Sequence, residues 1–417
     1  MADIQPLRGI RYDRARTGDL GTVVAPPYDV VSPDVLGRLY DRSPYNSIRL
    51  ILNREADSHA AAARAWTTWR TDGVLVQDAV PGFYFYSQRF DAPRHGSRRR
   101  DGLLVAMRLE ELGRGVFPHE RTMEGPKADR LRLIRACKAN LSPIFGLVSC
   151  PGRSLRDLVA PAVDQPPAVS VTDDLGVRND LWPVTDPDSI ARSIQVLGPE
   201  SVVIADGHHR YETALAYRNE MRRAHPDAGP SAPFESILMY LSNIDEPGLV
   251  VLPTHRVLRD VRSADVAQVV EDLADVFQVA EYEVGQRDAF LAALFDGATR
   301  IARIGCALPD KLLVLSLRHD PATLLPERTA ETRGHAVVIL HDLVLPRLLP
   351  TPLQFTHDDG EAMRAVAGGD AGAAFLLPAP TAQDVRAVCL SGETMPEKST
   401  YFYPKLLTGL VFRTLEG

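Results

Sequence analysis

The sequence has no segment that marks a secreted or membrane-spanning protein. No run of about 18 or more apolar residues offers a membrane span. The N-terminal residues 1–6 lack the charged and apolar regions of a signal peptide. Cysteine is scarce and scattered, with no Cys-x-x-Cys pair: Cys137, Cys150, Cys306 and Cys389. This spacing predicts reduced thiols in a cytoplasmic protein, without a disulfide framework or a zinc ribbon.

An excess of positive charge is also missing. Asp and Glu number 54 against 47 Lys and Arg, which gives a formal net charge of −7. A chain of this charge, without a helix-turn-helix in basic surroundings, is not expected to bind nucleic acid. The one basic run, Arg94–Arg100, is interpreted as the solvated tip of a hairpin. The sequence also lacks a Walker phosphate loop, internal repeats and low-complexity tracts.

Strand-like and helix-like patterns alternate along the 417 residues, which predicts an α/β (α+β) fold with more than one domain. Residues 56–71 and 187–197 read as helices, and residues 236–241 and 311–317 read as strands. The β-branched and aliphatic run 45–52 also reads as a strand. A Pro/Gly-rich loop at 225–233 predicts a boundary between a core of residues 1–228 and a second α/β subdomain of residues 229–417.

The most informative stretch is Ser201–Tyr217. Its β-branched start predicts a short buried strand, Asp206-Gly207 predicts a tight turn, and the residues from His208 onward predict a helix. A helix that begins after a glycine turn presents backbone N–H groups at the positive end of its dipole, and such a terminus binds phosphate. Asp206, Gly207, His208, His209 and Arg210 therefore form the predicted anion site. His208, His209 and Arg210 add hydrogen-bond donors for phosphate oxygens.

Two other interpretations of this stretch are open. Asp206 is a suitable helix N-cap, Gly207 an ordinary turn residue, and the histidines surface side chains. His209 and Glu212 are spaced i, i+3 and suit a shared metal ligand, but no His-Glu-x-x-His pattern completes a zinc set. The combination of Asp-Gly with His-His-Arg favours the anion site.

Further polar residues lie in separate motifs. A stiff Pro-Pro loop carries Tyr28 and Asp29, and the segment 117–130 carries His119, Glu120 and Lys127. Arg256 follows a predicted strand, and Lys398 and Lys405 lie in an aromatic-rich C-terminal loop predicted to fold back toward the site. Each of these motifs also suits an ordinary exposed loop or helix face.

These motifs occur together and in one order, and in this the chain resembles a large prokaryotic family long described as a domain of unknown function. The resemblance covers nearly the whole chain. The Asp206–Arg210 element is similar to the nucleotide-phosphate motif of the ParB/sulfiredoxin superfamily, which includes free serine kinases. A reactive cysteine, as in sulfiredoxin, is replaced here by His208. The motifs are Pro26-Pro-Tyr-Asp-Val-Val31, Pro118-His-Glu-Arg-Thr122, Gly125-Pro-Lys127, Lys138-Ala-Asn-Leu-Ser-Pro-Ile-Phe-Gly146, Ala205-Asp-Gly-His-His-Arg-Tyr-Glu-Thr-Ala214, Pro253-Thr-His-Arg256 and Met395-Pro-Glu-Lys-Ser-Thr-Tyr-Phe-Tyr-Pro-Lys405.

The resemblance implies a ParB/sulfiredoxin-like nucleotide-binding core and a phosphotransferase that uses ATP or ADP with Mg²⁺ on the hydroxyl of serine or a related metabolite. The alternatives are a phosphoserine phosphatase with the same phosphate cradle and a nucleotide-binding regulator. The expected roles divide into three sets. The residues expected to take part in catalysis are Glu120, Asp29, His119 and Asp206. Those expected to bind phosphate or nucleotide are Gly207, His208, His209, Arg210 and Lys127. Those expected to bind the substrate are Tyr28, Arg256, Lys398 and Lys405.

Overall fold

A computed structural model describes residues 2–120, 124–296, 302–348 and 351–416. The chain divides into two compact units. Unit 1 comprises Met1–Pro118, Thr122–Val250 and Tyr403–Gly417, and unit 2 comprises His119–Arg121 and Val251–Phe402. The predicted α/β class is confirmed, because both units combine sheets with helices. The boundary at residue 228 stays a prediction, and the compact units are divided at other residues.

The strands and helices follow in chain order. The strands are β1 (Ile4–Gln5), β2 (Ile10–Tyr12), β3 (Leu75–Gln77), β4 (Phe83–Ala92), β5 (Gly96–Arg108), β6 (Val116–Pro118), β7 (Ala139–Asn140), β8 (Ile144–Val148), β9 (Val169–Thr172), β10 (Arg178–Val184), β11 (Val202–Asp206), β12 (Ser236–Asn243), β13 (Val250–Leu252), β14 (His255–Leu258), β15 (Phe277–Glu283), β16 (Arg303–Ala307), β17 (Lys311–Leu317), β18 (Leu353–Thr356), β19 (Ala373–Leu376), β20 (Tyr401–Tyr403) and β21 (Arg413–Thr414). The α-helices are α1 (Arg14–Thr17), α2 (Pro33–Arg42), α3 (Ile48–Ile51), α4 (Ser58–Thr71), α5 (Glu124–Cys137), α6 (Leu155–Leu158), α7 (Ala160–Val163), α8 (Pro187–Leu197), α9 (His208–Ala224), α10 (Ser263–Asp272), α11 (Arg287–Leu294), α12 (Pro321–Leu324), α13 (Ala330–Arg333), α14 (Ala336–Ile339), α15 (Asp359–Ala367) and α16 (Ala382–Leu390).

Unit 1 is built on a mixed sheet with strand order β6-β11-β8-β12-β5-β4-β10-β9, to which β1 adds by pairing with β5. The pairs β6–β11 and β8–β12 are parallel, and the others in this order are antiparallel. Strands β8 and β12 are buried along their whole length. Continuous apolar runs such as these are typical of strands covered on both faces.

Two hydrophobic cores stabilise unit 1. One core lies on the mixed sheet and includes Trp182, Ile204, Tyr211 and Met239. The other joins the N-terminal helices to α5 and to the end of the chain through Phe412. Helix α9 packs on α5 and begins directly after β11.

The predicted strand at 45–52 is wrong, since the segment contains the short helix α3. Hydrogen bonds of Asn46, one to a nearby amide and two to more distant carbonyls, hold this segment. The side-chain oxygen of Asn46 accepts from the Ile48 amide at 2.9 Å, and its amide group donates to the carbonyls of Thr22 and Val24. An asparagine that bonds neighbouring backbone in this way holds a turn against the β preference of the following residues.

The hairpin around the basic run is confirmed as β4 and β5, but the run is not solvated along its whole length. The β-turn lies between Ala92 and Gly96, and β5 continues from there into the sheet. Arg100 is 1% exposed, so it is one of the largest fully buried side chains of the protein. The prediction that Arg94–Arg100 forms a solvated tip is therefore wrong for Arg100.

Unit 2 contains an antiparallel sheet with strand order β15-β17-β16-β19-β14-β18. One core includes Phe277, Leu315 and Phe375 and takes in the helical residues 336–345. The other includes Phe290 and Ala374 and takes in helices α11 and α15. Across the described residues of both units, no helix has the length and apolar character needed to cross a membrane.

Candidate functional site

The predicted strand, glycine turn and helix are present in unit 1. Strand β11 ends at Asp206, and helix α9 begins at His208. Gly207 has a φ of 92°, which is a left-handed conformation that glycine adopts without strain. The pairing of β11 with β8 shifts register between Ile204 and Asp206. Such irregularities re-aim side chains at the end of a strand.

Asp206 is the electrostatic centre of this turn. Its Oδ2 accepts from Arg210 Nη2 at 2.8 Å, and its Oδ1 accepts from Lys405 Nζ. Burial alone would raise the pKa of Asp206, but Lys405 and Arg210 outweigh it and hold that pKa well below its usual range. Asp206 is therefore a largely buried carboxylate that is ionised at neutral pH and lies between two cations.

Two cationic side chains contact that carboxylate. The side chains of Arg210 and Lys405 are only 13% and 12% exposed, so each is largely desolvated. Arg210 also donates to the carbonyl oxygen of Pro143. Its Nε is buried, and within the described residues it has no hydrogen-bond partner. Asp206 thus faces two largely buried cations, and Arg210 Nε has no partner in the part of the chain that the structure describes.

The first turn of α9 is built without a side-chain cap from the described residues, so Asp206 is not its N-cap. His208 is buried, and His209 and Arg210 are half-buried. A Cβ placed on Gly207 would lie 3.0 Å from Arg210 Nη2 and 3.1 Å from Ile144 Cδ1. Glycine is thus needed here for its conformation and for the close approach of the guanidinium. We call Asp206, Gly207, His208, His209, Arg210 and Lys405 the Asp206 site.

Lys127 and Tyr28 also lie in unit 1, and Tyr28 is close to Arg210. Lys127, on α5, has its ammonium 3.2 Å from Glu212 of α9, and its predicted phosphate contact stays a prediction. The guanidinium of Arg130 lies 4.3 Å over the Tyr28 ring. Tyr28, Arg130 and Arg210 are among the residues that line a cavity of about 60 Å³, while Asp29 beside them is exposed.

The other predicted site residues lie in unit 2. His119 is buried, and its Nε2 is 2.7 Å from Thr400 Oγ1. Glu120 accepts a hydrogen bond from the Lys398 amide at 3.1 Å. The His119 carbonyl accepts from the Met395 amide at 2.9 Å, so the His-Glu pair is bound to the C-terminal loop through its backbone as well. Arg121 and Thr122 of the same motif lie outside the described residues.

Arg256 is fully buried in unit 2 near this loop. It donates to the carbonyls of Thr254 and Glu397 and to His341 Nε2, the last at 3.1 Å. Burial lowers the pKa of Arg256 to about 9, and the charges of Glu397 and Glu120 oppose that shift. Burial and the neighbouring guanidinium lower the pKa of His341 to about 4. We call His119, Glu120, Arg256, Lys398 and Thr400 the Glu120 cluster.

The structure thus groups the predicted residues into two sets, each within its own unit. Lys405 belongs with Asp206 and Arg210, although the sequence suggested a substrate contact for it. Glu120, His119, Lys398 and Arg256 form the second set. In the described parts of the chain, no group of three or more His, Cys, Asp or Glu side chains is arranged to hold a metal ion.

Sequence reasoning missed Gln88 and Arg100, which contact the backbone beside Lys405. Gln88 Nε2 donates to the Lys405 carbonyl at 3.2 Å, and Arg100 Nη2 donates to the Pro404 carbonyl at 2.5 Å. A signal for Gln88 was present, because Tyr84, Tyr86 and Gln88 alternate along β4 and share one face of the strand. The lone glutamine on an otherwise aromatic face marks a buried polar contact.

Comparison with known families gives a clear result. A family model described as "Protein of unknown function (DUF1015)" matches residues 4–337. The chain belongs to this family. The match contains Asp206, Arg210, Glu120 and Arg256 and ends before Lys405. No curated protein matches the chain.

Several solved structures are remotely similar to this DUF1015 member. A free serine kinase in complex with AMP is 14% identical, with a TM-score of 0.37, over 69% of this chain and 83% of the kinase chain. A conserved hypothetical protein from Pyrococcus furiosus is 13% identical, with a TM-score of 0.38, over 72% and 92%. SbnI with a C-terminal truncation, from Staphylococcus aureus, is 11% identical, with a TM-score of 0.37, over 71% and 83%.

Proposed function

We propose that this DUF1015 member is a small-molecule phosphotransferase that binds nucleotide phosphate at the Asp206 site. Its acceptor in this proposal is the hydroxyl of serine or a related metabolite. The observation that carries the proposal is the pairing of Arg210 and Lys405 on one buried carboxylate, Asp206, at the start of α9.

The arrangement of charges explains why an anion suits this place. Two largely buried cations, Arg210 and Lys405, converge on the single carboxylate of Asp206. Cations that are shielded from water attract anions more strongly, because the effective dielectric constant around them is lower. The helix dipole at the start of α9 adds to the same field. A phosphate group bound here would be attracted by both cations and by the helix dipole.

Each residue of the site has a distinct task in this proposal. Asp206 fixes the directions of Arg210 and Lys405, and these two cations stabilise charge on the transferring phosphoryl group. Gly207 leaves room for the guanidinium close to the backbone. Both Asp206 oxygens already accept from cations, so Asp206 does not fit the role of a Mg²⁺ ligand. Mg²⁺ would therefore be held by nucleotide phosphate oxygens and water, not by Asp206, and would neutralise phosphate charge.

Glu120 remains our candidate for the carboxylate that orients the acceptor hydroxyl. Its side chain is held by the Lys398 amide, and its neighbour His119 is bonded to Thr400. A carboxylate fixed by a backbone amide has a defined direction, as a group that orients a substrate requires. Asp29, which is exposed, is the second candidate.

Phosphorus NMR of the purified protein tests the proposal. AMP and ADP are named as ligands of the free serine kinase structures, and we choose ADP and ATP, each with Mg²⁺ and serine, as donors. A phosphoserine signal that requires nucleotide is the expected result. Inorganic phosphate from phosphoserine alone would replace the proposal with a phosphatase. Nucleotide binding by calorimetry without any product from serine would point to another acceptor or to a regulator.

A further inference from the structure

A buried set of polar side chains holds the backbone on both sides of Lys405. Arg100, on β5, donates to the carbonyl of Tyr403 at 3.2 Å and to that of Pro404 at 2.5 Å. Gln88, on β4, donates to the carbonyl of Lys405 itself at 3.2 Å. Three successive carbonyls of the chain therefore accept from two buried side chains of the sheet.

The two side chains also hold each other. Gln88 Oε1 accepts from Arg100 Nη2, so the amide oxygen and the amide nitrogen of Gln88 both form hydrogen bonds. Gln88 Nε2 is further bonded at 3.0 Å to Asn179 Oδ1, which also accepts from the Tyr86 hydroxyl at 2.5 Å. Neither Gln88 nor Asn179 is exposed at all. The amide atoms of Gln88 and Asn179 are all bonded, whereas Arg100 Nε is buried and has no partner among the described residues. These shared bonds restrict Gln88, Asn179 and Arg100 to few geometries.

Burying the charged guanidinium of Arg100 costs free energy. Its guanidinium lies 4.6 Å over the Phe145 ring and 6.0 Å from the centre of the Tyr240 ring. Burial lowers the pKa of Arg100, and Asp206 is among the charges that oppose this shift. Its hydrogen bonds go to uncharged oxygens. A buried arginine that donates hydrogen bonds to backbone carbonyls is suited to holding a loop in one position.

We infer that Arg100 and Gln88 are positioning residues that aim the Lys405 ammonium at Asp206. Lys405 comes from the far end of the chain and lies outside any described strand or helix, so its direction depends on contacts made by its backbone. The carbonyls of Tyr403, Pro404 and Lys405 provide those contacts. The consequence for phosphate binding rests on the proposed function, whereas the positioning of Lys405 does not.

Acetylation of the ligand-free protein tests the positioning. The chain has five lysines, Lys127, Lys138, Lys311, Lys398 and Lys405, so mass spectrometry separates them readily. We expect Lys405 to react with an acetylating N-hydroxysuccinimide ester more slowly than exposed Lys138. Gln88→Met keeps size and charge but removes the bonds to Lys405 and Arg100. Arg100→Lys keeps the charge but cannot span the same acceptors.

In both variants the acetylation rate of Lys405 is expected to rise roughly tenfold, the change that follows from losing one hydrogen bond to a charged group. Lys311 and Lys138 are expected to keep their rates, as they do in the control Gln165→Met, which alters an exposed glutamine. Unchanged Lys405 reactivity in either folded variant would overturn the inference. So would an equal rise at every lysine, because that reports general loosening. If neither variant folds, a wild-type Lys405 that reacts as fast as Lys138 overturns it.

Calorimetry with ADP and Mg²⁺ connects the positioning to binding. Gln88→Met is expected to weaken ADP binding roughly tenfold in the wild-type background and to have no effect in a Lys405→Met background. Equal effects in both backgrounds would contradict action through Lys405. Failure of the wild-type protein to bind ADP would contradict the proposed function, and the acetylation rates would still decide the role of Gln88 and Arg100.

Discussion

Lys405 donates to Asp206 across a separation of 199 residues in the sequence. The carboxylate ends a strand in the middle of the chain, whereas the ammonium belongs to the last segment of unit 1. Asp206 also binds Arg210, so it makes one contact that is local in the sequence, with Arg210, and one that is distant, with Lys405. The predictions below separate the contributions of these side chains.

Removing the guanidinium of Arg210 is expected to weaken nucleotide binding strongly. Arg210→Ala deletes one of two cations at the site, and hydrogen bonds to charged groups contribute roughly 1.5–3 kcal/mol each. We therefore expect ADP affinity to fall by about 10- to 150-fold in calorimetry. Arg135→Ala is the matched control, because Arg135 pairs with Glu220 at an exposed position. Equal affinity of a folded Arg210→Ala variant and wild type would remove Arg210 from the binding site.

Gly207 and Gly113 allow conformation to be separated from close approach. Both have positive φ, 92° and 88°, but a Cβ on Gly113 would meet nothing within 4 Å. Alanine at either position is expected to cost about 1–2 kcal/mol of unfolding free energy, measured by urea denaturation. Only Gly207→Ala should also weaken ADP binding, since its Cβ displaces Arg210. A loss of affinity in both variants would show that the close approach is unimportant.

Protonation of Asp206 should lower the stability of unit 1 at acid pH. Its pKa is depressed in the folded protein, so the unfolded state binds the proton more readily. The resulting stability is fully present above the unfolded pKa of about 3.9 and is lost as pH falls below it toward the folded pKa. We expect the unfolding free energy of the wild type to decrease by up to about 1.4 kcal/mol per pH unit from this group in that range.

Asp206→Asn removes that titration and is the variant to compare. It should lower stability at pH 7 by about 3–5 kcal/mol, because two buried cations lose their anion. It should also flatten the decline below pH 4 in urea denaturation series. A decline of equal steepness in both proteins would assign the acid sensitivity to other carboxylates.

Glu120→Gln is expected to slow turnover more than it weakens substrate binding, if the phosphorus NMR assay detects a product. The amide keeps the hydrogen-bond acceptor for the Lys398 backbone but loses the negative charge. A group that acts in the chemical step lowers kcat, while KM changes little. Glu327→Gln, at an exposed position of unit 2, is the control. Full activity of Glu120→Gln would remove Glu120 from the mechanism.

The parts of the fold that sequence reasoning found are those set by local chemistry. The strand and helix around Asp206-Gly207 are confirmed as β11 and α9, because glycine, β-branched residues and a helical run specify them over a few positions. The α8 helix and the β17 strand are confirmed at the predicted residues for the same reason. The spacing of hydrophobic residues and the position of turn residues are enough to predict such elements from the sequence.

The missed features depend on contacts between distant residues. The segment at 45–52 became a helical turn because Asn46 bonds the backbone of Thr22 and Val24, which no local pattern reveals. Arg100 reads as part of a basic tip, yet two of its acceptors, the carbonyls of Tyr403 and Pro404, lie about 300 residues away in the chain. The roles assigned to Glu120, Lys127 and Arg256 remain predictions, since the structure gives their contacts and not their chemistry.

Unit 1 is discontinuous in the sequence, which determines the order in which its parts are synthesised. Residues Val251–Phe402 belong to unit 2 and separate Asp206 from Lys405. A ribosome therefore finishes unit 2 before it releases the ammonium that completes the ion pair of unit 1. During translation Asp206 and Arg210 exist for many seconds without Lys405, at roughly 5–20 residues per second. A nascent chain arrested before Lys405 would carry Asp206 and Arg210 without the ammonium, so the ion pairs around Asp206 are completed only after unit 2 has been synthesised.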